Sequence, residues 1–233
     1  MTTTKTMFAA TAVALAAWGV LGTGLAAEKA VKLPPPAQDV TATAPTETAV
    51  FAGGCFWGVQ AVFQHTRGVL NAVSGYAGGD KGSASYDTVS TGHTGHAESV
   101  QVTFDPRQVS YGQLLQVYFS VAHDPTTLNR QGPDSGPQYR SAVFYKDVQQ
   151  KQVAERYIAQ LEAAHVFPAR IVTQVAPLAG FYPAEAHHQD YATLHPGSPY
   201  IATFDLPKIA NLKATMPALY RDKPVLVAAQ GKG

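Results

Sequence analysis

The chain of 233 residues has a single cysteine, Cys55, so no disulfide can form within it. Charge is scarce as well: 14% of residues are Asp, Glu, Lys or Arg, and the formal net charge is +1. That balance gives no basis for nucleic acid or an anionic membrane surface as partner. Long apolar runs are absent beyond one stretch near the start, and no internal repeat is present. A lone thiol is either buried as a small hydrophobe or put to use, so its surroundings decide between the two.

The apolar stretch has the pattern of an export signal. Lys5 is the only charge before Glu28, Met7 to Leu21 is apolar and alanine-rich, and Gly24-Leu25-Ala26 supplies small residues where a signal peptidase reads. Residues 1–26 therefore read as a signal peptide; the run is too short to be an obvious membrane span, and an uncleaved anchor is the alternative. Residues 27–48, including Lys32-Leu33-Pro34-Pro35-Pro36, are rich in Pro, Ala and Thr without apolar periodicity and read as a flexible or polyproline-like linker. Residues 49–233 have the size of one domain with a proper core. The expected compartment is a periplasm, with secretion or signal anchoring as alternatives. An unused thiol there is a liability.

Cys55 stands in Gly53-Gly54-Cys55-Phe56-Trp57-Gly58. Thr48 to Ala52 before it is short and apolar enough for a buried strand. Phe56, Trp57, Val59, Gln60, Val62 and Phe63 after it carry apolar groups at near-helical spacing. Strand, glycine turn and helix place Cys55 at a helix N-terminus, where free N–H groups favour a thiolate. Further strands are expected at 69–76, 99–104, 141–145 and 170–175. Helices are expected at 111–119, from an Asp147 cap to about Ala164 with Val153, Tyr157, Ile158 and Leu161 inward, and over 184–194. From Pro196 onward the pattern weakens, and an irregular tail wrapping the surface is expected. The order predicts an α+β fold, a mixed sheet covered by helices with a ferredoxin-like split βαβ core.

Four polar patches fall in expected loops, where catalytic groups concentrate. Thr91-Gly92-His93-Thr94-Gly95-His96-Ala97-Glu98 ends at a strand edge. Glu98 there is a solvated edge glutamate or, beside an apolar pocket, a carboxyl with a raised pKa that donates a proton. His93 and His96 have the spacing of metal ligands but no clear third partner, so no metal is expected. Asn129 to Ser141 is dense in hydrogen-bonding side chains and reads as a rigid loop lining a site, with a self-bonded structural loop as the alternative. His123-Asp124-Pro125-Thr126 suffices as a helix stop. The His187-His188 pair, within Phe181 to Tyr191, reads as structural.

Together these strings resemble peptide methionine sulfoxide reductase of the A type. That family's pattern runs GCFWG, TGxTGHAE, HDPT, NRQGxDxGxQYRS and a late AExYHQ. The chain has GCFWG at 54–58, TGHTGHAE at 91–98, HDPT at 123–126, NRQGPDSGPQYRS at 129–141 and AEAHHQ at 184–189. The resemblance spans roughly 49–199 and implies Cys55 as nucleophile, Phe56 and Trp57 as a cage for the substrate methyl group, and Glu98 as proton donor to the sulfoxide oxygen. It further implies Tyr86 and Tyr139 as hydroxyl donors to that oxygen and Asp134 as a substrate or water contact. The implied activity is reduction of the S epimer of methionine sulfoxide, free or in peptides, through a Cys55 sulfenic acid.

The chain departs from the pattern twice. Resolving cysteines, common in that family's tail, are missing, so the sulfenic acid needs an external thiol: glutathione, a glutaredoxin or a thioredoxin-like protein. His187 stands where tyrosine is usual, which is expected to alter a hydrogen bond behind the site. No prosthetic cofactor, no nucleic acid, no stable membrane insertion after signal cleavage and a monomer are expected. Two competing readings remain open. One is a cysteine hydrolase with His93, His96 or His188 as base. The other is a binding module for oxidised methionine that has lost turnover.

Overall fold

The computed structural model describes residues 28–227; the expected signal peptide lies outside the described residues. Strand β1 (Glu47–Ala52) explains its own composition. Ala49 and Phe51 enter the main core, while Val50 and Ala52 join a smaller cluster with Ala77, Ala97, Ala142 and Phe144. A strand covered on both faces reads as a continuous apolar run. Helix α1 (Phe56–Gln64) follows, then β2 (Val69–Ala77), the short α2 (Tyr86–Val89), β3 (Ala97–Phe104) and α3 (Tyr111–Val117). A two-stranded ribbon, β4 (Arg130–Gln131) and β5 (Asp134–Ser135), precedes β6 (Ala142–Tyr145). The remaining elements are α4 (Val148–Ala163), β7 (Gln174–Pro177), β8 (Phe181–Pro183), α5 (Tyr191–Leu194) and α6 (Leu206–Thr215).

The main sheet runs β7-β6-β1-β3-β2-β8. Its inner four strands, β6-β1-β3-β2, pair antiparallel throughout. A β1-α1-β2, β3-helix-β6 chain with that order is the ferredoxin-like split βαβ unit. Strand β7 adds in parallel to β6 after α4, and β8 adds antiparallel to β2, so the sheet is mixed. Stacked Phe51, Phe63 and Tyr118 rings, with centroids 5.1 Å apart in each pair with Phe51, join sheet to helices. The expected Asp147 cap is present: its Oδ1 accepts the Gln150 N–H at 2.9 Å. No helix among the described residues is long and apolar enough to cross a membrane.

Four expectations change. The strand expected at 170–175 forms later, as β7. The helix expected over 184–194 is broken into a 3-10 turn (Ala186–His188) and α5, because Asp190 adopts φ 58 between them. The irregular tail is in fact a π turn (Ile201–Asp205) followed by α6. Pro207 falls in the first turn of α6, where proline is tolerated. The inward positions there include Asp205 and Lys208, which an apolar-periodicity reading assigns to solvent. Lastly, 28–46 has no regular secondary structure, yet it is strapped down rather than flexible. Leu33 enters the core, Tyr157 Oη donates to the Pro34 carbonyl at 2.8 Å, and Asp39 Oδ1 accepts the Gly112 N–H at 2.8 Å.

Candidate active site

Cys55 caps the N-terminus of α1. Gly54 before it has φ +89, and a Cβ there would stand 2.6 Å from the Gln131 Cβ. Glycine is thus required twice, for the turn and for the approach of the polar loop. The loop is held in turn: the Gln131 side chain accepts from the Asp124 N–H at 2.9 Å and donates to the Asp124 carbonyl at 2.7 Å.

All seven residues singled out from the sequence line one cavity of about 210 Å³: Cys55, Phe56, Trp57, Tyr86, Glu98, Asp134 and Tyr139. Four separate pieces of chain deliver them. Cys55, Phe56 and Trp57 come from the start of α1, Tyr86 from α2, Glu98 from β3, and Asp134 and Tyr139 from β5 and the turn after it. An eighth wall was missed: Tyr200, from the tail, whose hydroxyl donates to Asp134 Oδ2 at 2.5 Å. None of the lining residues is a histidine, which leaves the hydrolase reading without a base in the cavity.

Glu98 is not on a solvated edge. It sits inside β3 opposite Tyr76, is 3% exposed, and accepts the Phe56 N–H on Oε2 at 3.0 Å. Burial pushes its pKa up to about 8; the Phe56 N–H opposes this, and the Asp134 and Asp205 carboxylates add to it. At neutral pH the carboxyl is therefore mostly protonated. The Cys55 thiol is pushed up as well, by burial first and then by Glu98 and Asp205, against the opposing Trp57 backbone N–H. The helix end favours a thiolate, but partly buried among carboxyls the sulfur gains less from it than it loses to its surroundings. Burial also raises Asp134, Tyr86 and Tyr139, so both phenols remain hydroxyl donors.

The other motifs brace this cavity. Glu185 accepts the Tyr86 N–H and the Tyr76 hydroxyl, each at 2.9 Å. Gln189 clamps Ser74 of β2 through both its N–H and its carbonyl, each at 2.9 Å. Arg140 donates to the Gly95 and His96 carbonyls at 2.8 and 3.1 Å, tying the loop after β5 to the one before β3. Buried His188 packs on the rings of Tyr86, Phe56 and Trp57 at 4.4, 5.3 and 5.9 Å. Exposed His187 lies tilted against it, with ring centroids 4.2 Å apart and planes at 43°. Trp57 lies flat on Tyr191 at 3.9 Å, which fixes its indole as a cavity wall. The His187-His188 pair was read as structural from the sequence, but the bracing by Glu185, Gln189 and Arg140 was not, since polar side chains that bond backbone leave no periodic signal.

His93 and His96 do not converge. His96 is buried with its ring nitrogens facing the Gly79 N–H at 3.2 Å and the Asp80 carbonyl at 3.0 Å, whereas His93 is exposed. No cluster able to hold a metal occurs among the described residues.

Residues 47–218 match the family model for peptide methionine sulfoxide reductase. The chain is 63% identical over 190 residues to the peptide methionine sulfoxide reductase MsrA 2 of Mesorhizobium japonicum, covering 82% of this chain and 97% of that one. It is 48% identical over 177 residues to the Thermus thermophilus MsrA, covering 76% and 99%. Among solved structures, the methionine sulfoxide reductase A of Corynebacterium diphtheriae aligns with a TM-score of 0.57 at 37% identity, over 72% of this chain and 85% of that one. The reduced form of Mxr1 from Saccharomyces cerevisiae aligns with a TM-score of 0.62 at 29% identity, over 72% and 95%. With the GCFWG cysteine, the buried glutamate and both tyrosines gathered on one cavity, and with these likenesses, the chain belongs to the peptide methionine sulfoxide reductase family, as a thiol-dependent reductase of the S epimer of methionine sulfoxide that repairs oxidised proteins.

Proposed function

We propose that Cys55 is the nucleophile of this reduction and that Glu98 is its proton donor. The observation that carries the reading is a buried carboxyl, with its pKa pushed up by that burial, sharing a cavity with the chain's only thiol. Phe56 and Trp57 hold the substrate methyl group against apolar surface. Glu98 hands its proton to the sulfoxide oxygen, while the Tyr86 and Tyr139 hydroxyls stabilise the charge developing there. The oxygen passes from the substrate sulfur to Cys55 Sγ. The substrate sulfur gains two electrons and leaves as the thioether, Cys55 loses two and becomes the sulfenic acid, and the thiol proton returns to Glu98. A neutral Glu98 matters twice: it supplies the proton, and it removes the nearest negative charge from a sulfur that must become anionic.

Recycling falls to external thiols. The first condenses with the sulfenic acid, releasing water and leaving a mixed disulfide; the second displaces Cys55 as a thiol. The absence of a second cysteine supports glutathione, a glutaredoxin or an exported thioredoxin-like protein in this role, and no prosthetic group is needed. Lys5, the apolar 7–21 stretch and Gly24-Leu25-Ala26 support export to a periplasm.

A single turnover tests the reading. Reduced protein is mixed with excess methionine S-sulfoxide and no added thiol, and dimedone traps any sulfenic acid. The expected result is about one methionine released per chain and a dimedone adduct on Cys55. No methionine and an intact Cys55 thiol would bring back the binding module without turnover.

A further inference from the structure

A second and far smaller cavity, about 10 Å³, also touches Cys55. The hydrogen-bonded Asp134 and Tyr200 belong to both cavities; the small one is closed by Glu28 from the strap and by Lys208 from α6. Lys208 is 5% exposed, and its Nζ lies 3.4 Å from Glu28 Oε2 and 3.9 Å from Asp205 Oδ1. Asp205 is fully buried and neither of its oxygens has a hydrogen-bond partner; Glu28 Oε2 has none either. The Asp205 carboxylate lies over the first turn of the Cys55 helix, since a Cβ on Gly58 would stand 2.1 Å from its Oδ1. An ion cluster so short of well-formed hydrogen bonds, at such depth, is poor at stabilising a fold, so what it does to its neighbour is the better reason for its presence.

We propose that Lys208 is a positioning residue for charge, the counter-ion of the Cys55 sulfur as it becomes anionic, and that Asp205 opposes it. The proposal rests on the reading of Cys55 as nucleophile. The titratable groups that share a cavity with the sulfur or act on it from neighbouring elements are the Glu28, Glu98, Asp134 and Asp205 carboxyls, the Tyr86, Tyr139 and Tyr200 phenols, and Lys208. Among the described residues lining either cavity, Lys208 is the one cation. Its ammonium is favoured by the Glu28, Asp205 and Cys55 charges against the cost of burial. Asp205, pushed up to about 7 by burial and drawn down by Lys208, changes charge near neutrality and so alters how much of the ammonium's field remains for the sulfur. Gly58, the last residue of GCFWG, is the space that lets Asp205 reach the helix.

The lone thiol gives a readout free of activity. The pH dependence of alkylation by iodoacetamide is measured on the full chain, each profile scaled to its own high-pH plateau so that access drops out. Lys208→Met is expected to move the midpoint up by roughly a unit and Asp205→Asn to move it down, with Lys208→Arg close to wild type. A Lys208→Met midpoint at the wild-type value in a protein of unchanged thermal midpoint, or the same direction of shift in both charge-removing variants, would overturn the proposal. If Lys208→Met does not fold, Asp205→Asn decides, and a midpoint that stays or rises overturns it. Sulfoxide turnover retained by Cys55→Ser would instead defeat the nucleophile reading, while the alkylation profiles would still report on Lys208.

Discussion

Glu98 and Asp205 are both buried carboxyls close to Cys55, and both are pushed far above their ordinary values, to about 8 and about 7. Their company differs. Glu98 is fixed by strand register and meets one backbone N–H and no cation. Asp205 stands at the end of a π turn, 3.9 Å from an ammonium whose effect Glu28 and Asp134 offset. The same burial therefore makes two different devices. A carboxyl desolvated alone is a proton store; one desolvated within an ion cluster sets a field. The first belongs to the chemistry and the second to the state of the thiol.

The sharpest way to break that comparison is to remove each carboxyl's charge in turn. Glu98→Gln keeps the shape and is expected to slow single-turnover methionine release by roughly a hundredfold or more, whereas Asp205→Asn changes it by about tenfold at most. Equal effects would mean that the two are not distinct devices. The wild-type rate is also expected to fall as pH rises through about 8, where Glu98 loses its proton. Stability follows the same sign. Because the folded pKa lies above the ordinary 4.5, the folded state binds the proton more tightly than the unfolded chain. Its contribution is fully present below 4.5 and is lost as pH rises to about 8. Thermal midpoints measured at pH 5 and pH 9 are thus expected to differ less in Glu98→Gln than in wild type.

A smaller test strikes the Asp205 side through sterics alone. Gly58→Ala would place a methyl group 2.1 Å from the Asp205 carboxylate, so α1 or the π turn must shift. The expected cost is about 1–3 kcal/mol in chemical denaturation. In Gly58→Ala combined with Asp205→Ala the clash is gone, and the combined loss is expected to fall below the sum of the two single losses. Additive losses would place the role of Gly58 elsewhere.

How far such residues were legible in the sequence follows from the same physics. The Cys55 turn, the loop from Asn129 to Ser141 and the inner strands could be read because glycines, dense polar loops and apolar runs are local signals. Phe51 and Val50 serve opposite faces of one strand, so β1 looked simply apolar and was still placed correctly. Helix α6 could not be read, because two of its anchoring positions are Asp205 and Lys208, and periodicity treats charge as solvent-facing. The strap at 28–46 was misjudged for a related reason: its proline-rich backbone offers carbonyls to helix side chains, which composition does not reveal. What opposes the thiolate could not be read, because a helix N-terminus is visible in sequence and three neighbouring carboxyls from distant segments are not.

Tyr200 gives the finest probe of the boundary between the two regions, since it walls both cavities and its hydroxyl is bonded to Asp134. Tyr200→Phe removes that one hydrogen bond and keeps the ring edge-on to Trp57, whose centroid is 6.0 Å away. The bond draws the Asp134 pKa down against burial, so its loss lets Asp134 hold a proton to higher pH. A hydrogen bond to a charged group contributes on the order of 1.5–3 kcal/mol and a neutral pair about 1. With the neutral-pair figure, kcat/KM should fall by roughly threefold to tenfold. The loss should appear mainly in KM, because Asp134 touches the cavity rather than the breaking bond. A loss confined to kcat would instead place Tyr200 among the groups that act on the sulfur, and would move it from the wall of the substrate cavity to the side of Lys208.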